Sequence, residues 1–151
     1  MQAQEVYIID DGADYRLLLQ HVFARFLPQY KVRFFAGGNA LHEHLLIELK
    51  RPDRTRPDLI LLDLNMPGLS GYQTLVRLQQ SPWKGIPVVM MTNDESNQEI
   101  EQCYEAGANS FLIKPIGIEA MKQLMSEICR YWRCLNQLSV EESVERLNHV
   151  R

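Results

Sequence analysis

The sequence predicts an α/β fold in which a doubly wound, five-stranded parallel sheet carries helices on both faces. Three observations predict it. Five short apolar runs recur along the chain, and four are continuous, as strands covered on both faces require. The stretches between them place apolar residues at helical spacing. The two patterns alternate, strand then helix, five times over, which is the order that builds parallel strands with crossover helices.

The first strand is read from Val6-Tyr7-Ile8-Ile9, and the helix after it from the stripe Tyr15, Leu18, Leu19, Val22, Phe23 and Phe26. The second strand, Val32 to Phe35, lies in Lys31-Val32-Arg33-Phe34-Phe35 and comes closer to alternation, so it is expected at an edge with one wetter face. Gly37-Gly38 ends it, and Asn39 to Lys50 carries Leu41, Leu45, Leu46 and Leu49 at helical spacing. The basic loop from Lys50 to Pro57 is read as a solvated connection. The third strand is Leu59-Ile60-Leu61-Leu62, followed by the breakers Pro67-Gly68 and Gly71 and a helix through Tyr72, Leu75 and Val76. Val88-Val89-Met90-Met91 forms the fourth strand, with a helix through Ile100, Cys103 and Tyr104 that closes at Ala106-Gly107-Ala108. Phe111-Leu112-Ile113 is the fifth strand.

The last stripe is the longest: Met121, Leu124, Met125, Ile128, Cys129, Trp132 and Leu135. A helix from Ile118 to Leu138 would be about 30 Å long at 1.5 Å per residue. Tyr131, Cys134 and Leu138 fall off its main stripe, so apolar surface wraps beyond what one sheet covers; either the C-terminal tail buries it, or it forms a homodimer through this helix. Ser139-x-x-Glu142 resembles a capping box, which predicts a short extra helix in a tail of residues 139–151 after a main domain of residues 1–138.

Composition narrows the function classes. A chain of 151 residues holds one well-buried domain. A hydrophobic share of 46% and a charged share of 23% are those of a globular protein, and a net charge of -3 offers no basic field for direct nucleic-acid binding. Cys103, Cys129 and Cys134 are odd in number and lack C-x-x-C spacing, which argues against a disulfide framework or a zinc site and suits a reducing cytoplasm. They are read as packing residues, and His42 and His44 as surface residues. No signal peptide is visible, and no apolar run approaches the roughly 20 residues that span a bilayer. A cytoplasmic protein without membrane contact is expected.

Doubly wound sheets place their sites beyond the carboxyl ends of the strands. Just after strands one, three, four and five stand Asp10-Asp11, Asp63, Thr92 and Lys114. Each alone has a plainer role: a solvated turn, a strand end, a helix cap, a surface lysine. Together they put three carboxylates in one place. Two unit charges about 4 Å apart repel by roughly 4 kcal/mol at an effective dielectric of 20. Protonation or a cation must relieve this, and Mg²⁺, a hard ion held by one or two carboxylates, suits the donors. Beside it Asp63, ending the central strand, is the best nucleophile toward a phosphoryl group, with Lys114 as point charge and Thr92 as hydroxyl donor.

Asp10-Asp11, the run from Leu61 to Gly71 that contains Asp63-Leu64-Asn65-Met66-Pro67-Gly68, Met91-Thr92 and Lys114-Pro115 resemble the receiver domains of two-component response regulators, over roughly residues 5 to 137. The resemblance implies a flavodoxin-like sheet of order 2-1-3-4-5 and a single-domain, chemotaxis-regulator-like protein. It implies that Asp63 is the phosphoacceptor. Mg²⁺ is implied to be held by Asp11 and Asp63 through side chains, Asn65 through its carbonyl and Asp10 mainly through water. Thr92 and Lys114 match the phosphate-sensing pair, and Phe111 the aromatic switch. Lys114–Pro115 matches a bond that is usually cis. Asn65, Met66 and Asp94 lie near positions that tune phosphoryl lifetime. The implied partners are a sensor histidine kinase or histidine phosphotransfer protein as donor, and a downstream protein not named by the sequence.

Three functions fit these residues to different degrees. The first is a reversible phosphorylation switch, a signalling protein with slow self-dephosphorylation rather than an enzyme. The second is a Mg²⁺-dependent phosphohydrolase, which needs a general acid where this chain has Asn65. The third is a phosphorylation-independent interaction module, which usually lacks an acidic residue or the lysine.

Overall fold

The structure is a computed structural model that describes residues 4–93 and 99–149, the last sixteen of them as backbone. Its elements alternate as the apolar runs require: β1 (Gln4–Ile9), α1 (Ala13–Phe26), β2 (Tyr30–Phe35), α2 (Gly38–Leu49), β3 (Leu59–Asp63), α3 (Gly71–Gln79), β4 (Val88–Thr92), α4 (Glu99–Glu105), β5 (Ser110–Ile113) and α5 (Ile118–His149). The strands pair in parallel in the order β2-β1-β3-β4-β5. The chain order therefore reverses direction across the sheet at β1 and β3, which places Asp10 and Asp63 at the switch point.

The two-residue period of the strands feeds two separate cores. Val6, Ile8, Leu59, Leu61, Val89 and Met91 point to one face and pack on Leu19, Val22 and Phe23 of α1 and Met121, Met125, Ile128 and Cys129 of α5. Tyr7, Ile9, Ile60, Leu62, Val88 and Met90 point to the other and meet Leu41 and Leu45 of α2, Leu75 and Leu78 of α3, and Cys103 of α4. Every residue of β3 and β4 is buried, so the middle of the sheet is a rigid base for the loops at its carboxyl end. As expected, β2 is an edge and exposes Lys31 and Arg33. β5 departs from expectation. Its run looks like a doubly covered strand, but it is the opposite edge, and Ile113 is 43% exposed.

Three further expectations change. His44 is not a surface residue: its side chain is 14% exposed, shares a hydrogen bond with the Tyr7 hydroxyl at 3.0 Å, and packs its ring against those of Tyr7, Phe35 and Trp83. Burial, then the Arg33 charge, holds its pKa below the ordinary value. His42 is half-buried. The separate helix expected at Ser139 is instead the continuation of α5, which runs 32 residues, or about 48 Å, without a break. No glycine or proline lies between Ile118 and His149 to stop it. The side chains of Cys134, Leu135, Leu138, Ser139 and Glu142 lie outside the described residues, as does Asp94. Cys103 and Cys129 are packing residues as expected, and burial pushes their thiols up to about 11 and about 12, far from reactive thiolates.

A capping box does occur, at Ser70 and Gln73, where it starts α3 just after the Asp63 loop. Gly71 then lets the helix approach the strand end: its N–H donates to the Leu64 carbonyl at 3.0 Å, and a Cβ there would strike the Asp63 carbonyl oxygen. Overpacking of this kind costs about 1–3 kcal/mol or more. Gly71→Ala is therefore expected to reduce unfolding stability by about that amount, read as a lower denaturant midpoint. An unchanged midpoint would show that α3 can retreat freely.

Candidate functional site

The carboxyl rim of the sheet gathers the side chains singled out by their places after the strands. β1 runs into Asp10, whose backbone N–H continues the ladder to the Phe35 carbonyl at 3.1 Å. β3 ends on Asp63, and the next residue, Leu64, donates to the Met91 carbonyl at 2.8 Å. Lys114 donates from its backbone to the Thr92 carbonyl at 2.7 Å, which fixes the end of β5 against that of β4. Asp10 and Asp63 are buried and Asp11 is exposed, and one carboxylate oxygen from each lies within 4.8 Å of the others.

Lys114 is the cation that this rim provides. Its Nζ stands 2.6 Å from Asp10 Oδ2 and 3.2 Å from Asp63 Oδ2, with its own side chain 8% exposed. Burial disfavours the ammonium, but the hydrogen bonds and charges of Asp10 and Asp63 outweigh it and raise its pKa. Asp63 behaves in the opposite sense. Burial lifts its carboxyl, Lys114 pulls it back and Asp10 lifts it again, leaving a pKa of about 6. The local backbone helps: Gly12 N–H donates to Asp10 Oδ1 at 2.8 Å and Asn65 N–H to Asp63 Oδ1 at 3.2 Å. Thr92 is fully buried, and its hydroxyl accepts from Asn65 Nδ2 at 3.2 Å.

Phe111 is half-buried and packs on the core shared with α2, α3 and α4. Met90 is its partner in the register, so it lies two residues back from the Thr92–Ile113 pair at the rim. Pro115 follows Lys114 as expected, but the expected cis bond is a correction: no cis peptide occurs among the described residues. The trans isomer is the intrinsic preference of an X–Pro bond, by about 0.5–1 kcal/mol.

Two residues at the rim are not singled out by the sequence pattern. Arg16 Nη1 donates to the Asp10 carbonyl at 2.7 Å and ties α1 to the end of β1. Tyr15 lays its ring 4.8 Å from Lys114 Nζ. Burial, then Asp10 and Asp63, pushes its hydroxyl pKa well above the ordinary value. In the sequence Tyr15 is one more member of the α1 apolar stripe; its only signal is its place one helical turn after Asp11.

The donor set fits a hard divalent cation. All its members are oxygens, Asp11 opens the cluster to solvent, and three carboxylates face one lysine. A groove of about 690 Å³ lies beside it, lined by Asn65, Met66, Tyr72, Gln73 and Glu99.

The model of the response regulator receiver domain matches residues 6–126. The chain belongs to that family. Receiver domains are signalling proteins rather than enzymes in the ordinary sense, and this one is of the two-component type. It is 27% identical over 128 residues to the response regulator Rcp1 of Synechocystis sp., spanning 84% of this chain and 87% of Rcp1. It is 29% identical over 136 residues to the probable methanogenesis regulatory protein FilR2 of Methanothrix harundinacea, spanning 87% of each. Among solved structures it resembles the phosphorylated cyanobacterial phytochrome response regulator RcpA, with a TM-score of 0.74 and 26% identity over 85% of this chain and 93% of that one. The Mn²⁺-bound form of Rcp1 superposes with a TM-score of 0.72 at 26% identity, covering 85% of this receiver and 94% of Rcp1. Among the described residues no helix is long and apolar enough to cross a membrane.

The raised Asp63 pKa makes the metal-free receiver pH-sensitive in a defined direction. The native carboxyl holds its proton more tightly than the unfolded chain, so its stabilising effect is present below about pH 4 and lost as pH rises through about 6. Asp63→Asn is expected to be more stable than wild type by about 1–3 kcal/mol at pH 8 without divalent cations. The two should converge below about pH 4, and Mg²⁺ should narrow the gap by binding only the wild type. A variant less stable at pH 8 would contradict the charge balance described.

Proposed function

We propose that this receiver takes a phosphoryl group on Asp63 from a sensor histidine kinase or a histidine phosphotransfer protein, and that the acyl phosphate changes its affinity for a downstream protein. The observation that carries the reading is the pairing of a buried, strained carboxylate on Asp63 with a lysine only 3.2 Å away. Asp63 Oδ attacks phosphorus, and the donor's imidazole leaves with the electron pair. Lys114, already drawn toward both acidic residues, takes charge from a phosphoryl oxygen. Thr92 offers its hydroxyl to another after breaking from Asn65, and Phe111 moves inward into the space this opens. When bound by Asp11 and Asp63, the Asn65 carbonyl and, through water, Asp10, Mg²⁺ supplies neutralising charge to the phosphoryl oxygens. Slow hydrolysis of the acyl phosphate resets the state.

We further assign the receiver domain to residues 1–138 with 139–151 as its tail, in the cytoplasm. We assign α5 to a homodimer contact. Tyr131 is 59% exposed on that helix and lines a groove of about 640 Å³ with Leu124 and Trp132.

A small acyl-phosphate donor with Mg²⁺ should add one phosphoryl group to the wild type, seen as a mass increase that hydroxylamine removes. Asp63→Asn should take none, and Lys114→Ala should be phosphorylated without switching partner affinity. Equal labelling of wild type and Asp63→Asn would reject the assignment of the acceptor.

A further inference from the structure

Most polar groups of the rim have partners. Asp10 Oδ1 takes the Gly12 N–H, Asp63 Oδ2 and Asp10 Oδ2 face the Lys114 ammonium, the latter as an ion pair without a hydrogen bond, and the Thr92 hydroxyl takes Asn65. The Tyr15 hydroxyl does not. It is buried, with no hydrogen-bond partner, on a side chain whose ring covers the very ammonium that both buried carboxylates hold. A buried hydroxyl left unpaired loses its hydration with no hydrogen bond in exchange. The cost is avoidable at this position: Tyr15 sits beside the apolar core of the α1 face, where phenylalanine would fit without an orphan oxygen.

Two features give the ring a defined role. An ammonium within about 6 Å of an aromatic centroid is attracted to its face, and at 4.8 Å Tyr15 meets that condition. The ring therefore helps hold Lys114 at the carboxylates. Gly12 leaves room between the Asp10 carboxylate and Tyr15: a Cβ there would lie 3.1 Å from Asp10 Oδ1 and 3.5 Å from Tyr15 Cβ. The tyrosine lies beside the acidic loop, its buried hydroxyl without a hydrogen-bond partner while the site is empty. The carboxylates of Asp10 and Asp63 are close enough to raise its pKa, so the hydroxyl stays protonated and able to donate at any physiological pH.

We infer that the Tyr15 hydroxyl is a further donor to the phosphoryl group, giving its hydrogen bond to a phosphoryl oxygen while its ring positions Lys114. This rests on the assignment of Asp63 as acceptor. The phosphoryl group brings new oxygens to the rim, and the Tyr15 hydroxyl has no existing hydrogen bond to break in meeting one. It therefore stabilises the filled state relative to the empty one. Phenylalanine at this position would keep the lysine in place and lose that preference.

The test uses the full chain and beryllofluoride as the phosphoryl probe. Wild type, Tyr15→Phe and Tyr15→Leu are titrated calorimetrically with Mg²⁺ alone and then with beryllofluoride at saturating Mg²⁺. Tyr15→Phe should bind Mg²⁺ as wild type does and beryllofluoride roughly ten- to hundredfold more weakly, the range expected for one hydrogen bond to a charged acceptor. Tyr15→Leu should lose more, because Lys114 is no longer held. Without ligand, Tyr15→Phe should melt no lower than wild type, since the hydroxyl it lacks had no partner. Equal beryllofluoride affinity in wild type and Tyr15→Phe would overturn the inference, as would a lower melting point of the ligand-free variant. A loss confined to Mg²⁺ affinity would overturn it in favour of a metal-bound water as acceptor. Failure of the wild type itself to bind beryllofluoride would instead strike the Asp63 assignment.

Discussion

Three carboxylates and one ammonium share the carboxyl rim of the sheet, and most of the chemistry stems from that imbalance. Asp10 and Asp63 are buried, yet both point at Lys114 and so toward each other. The lysine offsets one negative charge, and Arg16, held at the Asp10 carbonyl, is a second cation beside the rim. Asp63 shows the residue of this conflict in a pKa of about 6, unusual for a carboxyl beside a lysine. Such a site is held at a high electrostatic potential by the fold around it. It relaxes by taking a proton, a cation, or a phosphoryl group with its cation.

The fold maintains the conflict because the elements beneath it do not yield. β3 and β4 are buried along their whole length, and the ladder continues past them through Leu64, Lys114 and Asp10. Capping at Ser70 and the missing side chain at Gly71 bring α3 tightly against the end of β3. The parts that can respond lie at the margin: β5 is an edge strand, half-covered, and carries Phe111 and Lys114 at or beside its end. A rigid acceptor next to a compliant edge is a sound basis for converting local charge into a change of surface.

Much of this was legible in the residues. The alternation of apolar runs and helical stripes identifies all ten elements, and the polar residues after strands one, three, four and five identify the rim. What was not legible depends on long-range packing. His44 looks like one of two histidines on an exposed helix; only the fold sets it among Tyr7, Phe35 and Trp83. β5 has the sequence of a covered strand, but edge position is a property of the sheet and not of the run. Tyr15 carries the pattern of a core residue and the chemistry of a site residue, and periodicity records only the first. The sequence reading places the capping pattern at Ser139, whereas the structure shows it at Ser70. It marks a helix start where the chain enters from a loop, and Ser139 lies within a helix already under way. Asn65, which withholds a general acid from the rim, is engaged with Thr92, in keeping with a phosphoacceptor rather than a hydrolytic site.

The charge imbalance at the rim is most directly tested by measuring Mg²⁺ affinity of the wild-type receiver by calorimetry from pH 5 to pH 8 in buffers of different ionisation enthalpy. If the rim relaxes by exchanging a proton for a cation, affinity should rise with pH up to about 6 and then level off, with up to one proton released per Mg²⁺ at the acid end. Affinity independent of pH, with no proton release, would show that the carboxylates are not in conflict and that the account of the site is wrong.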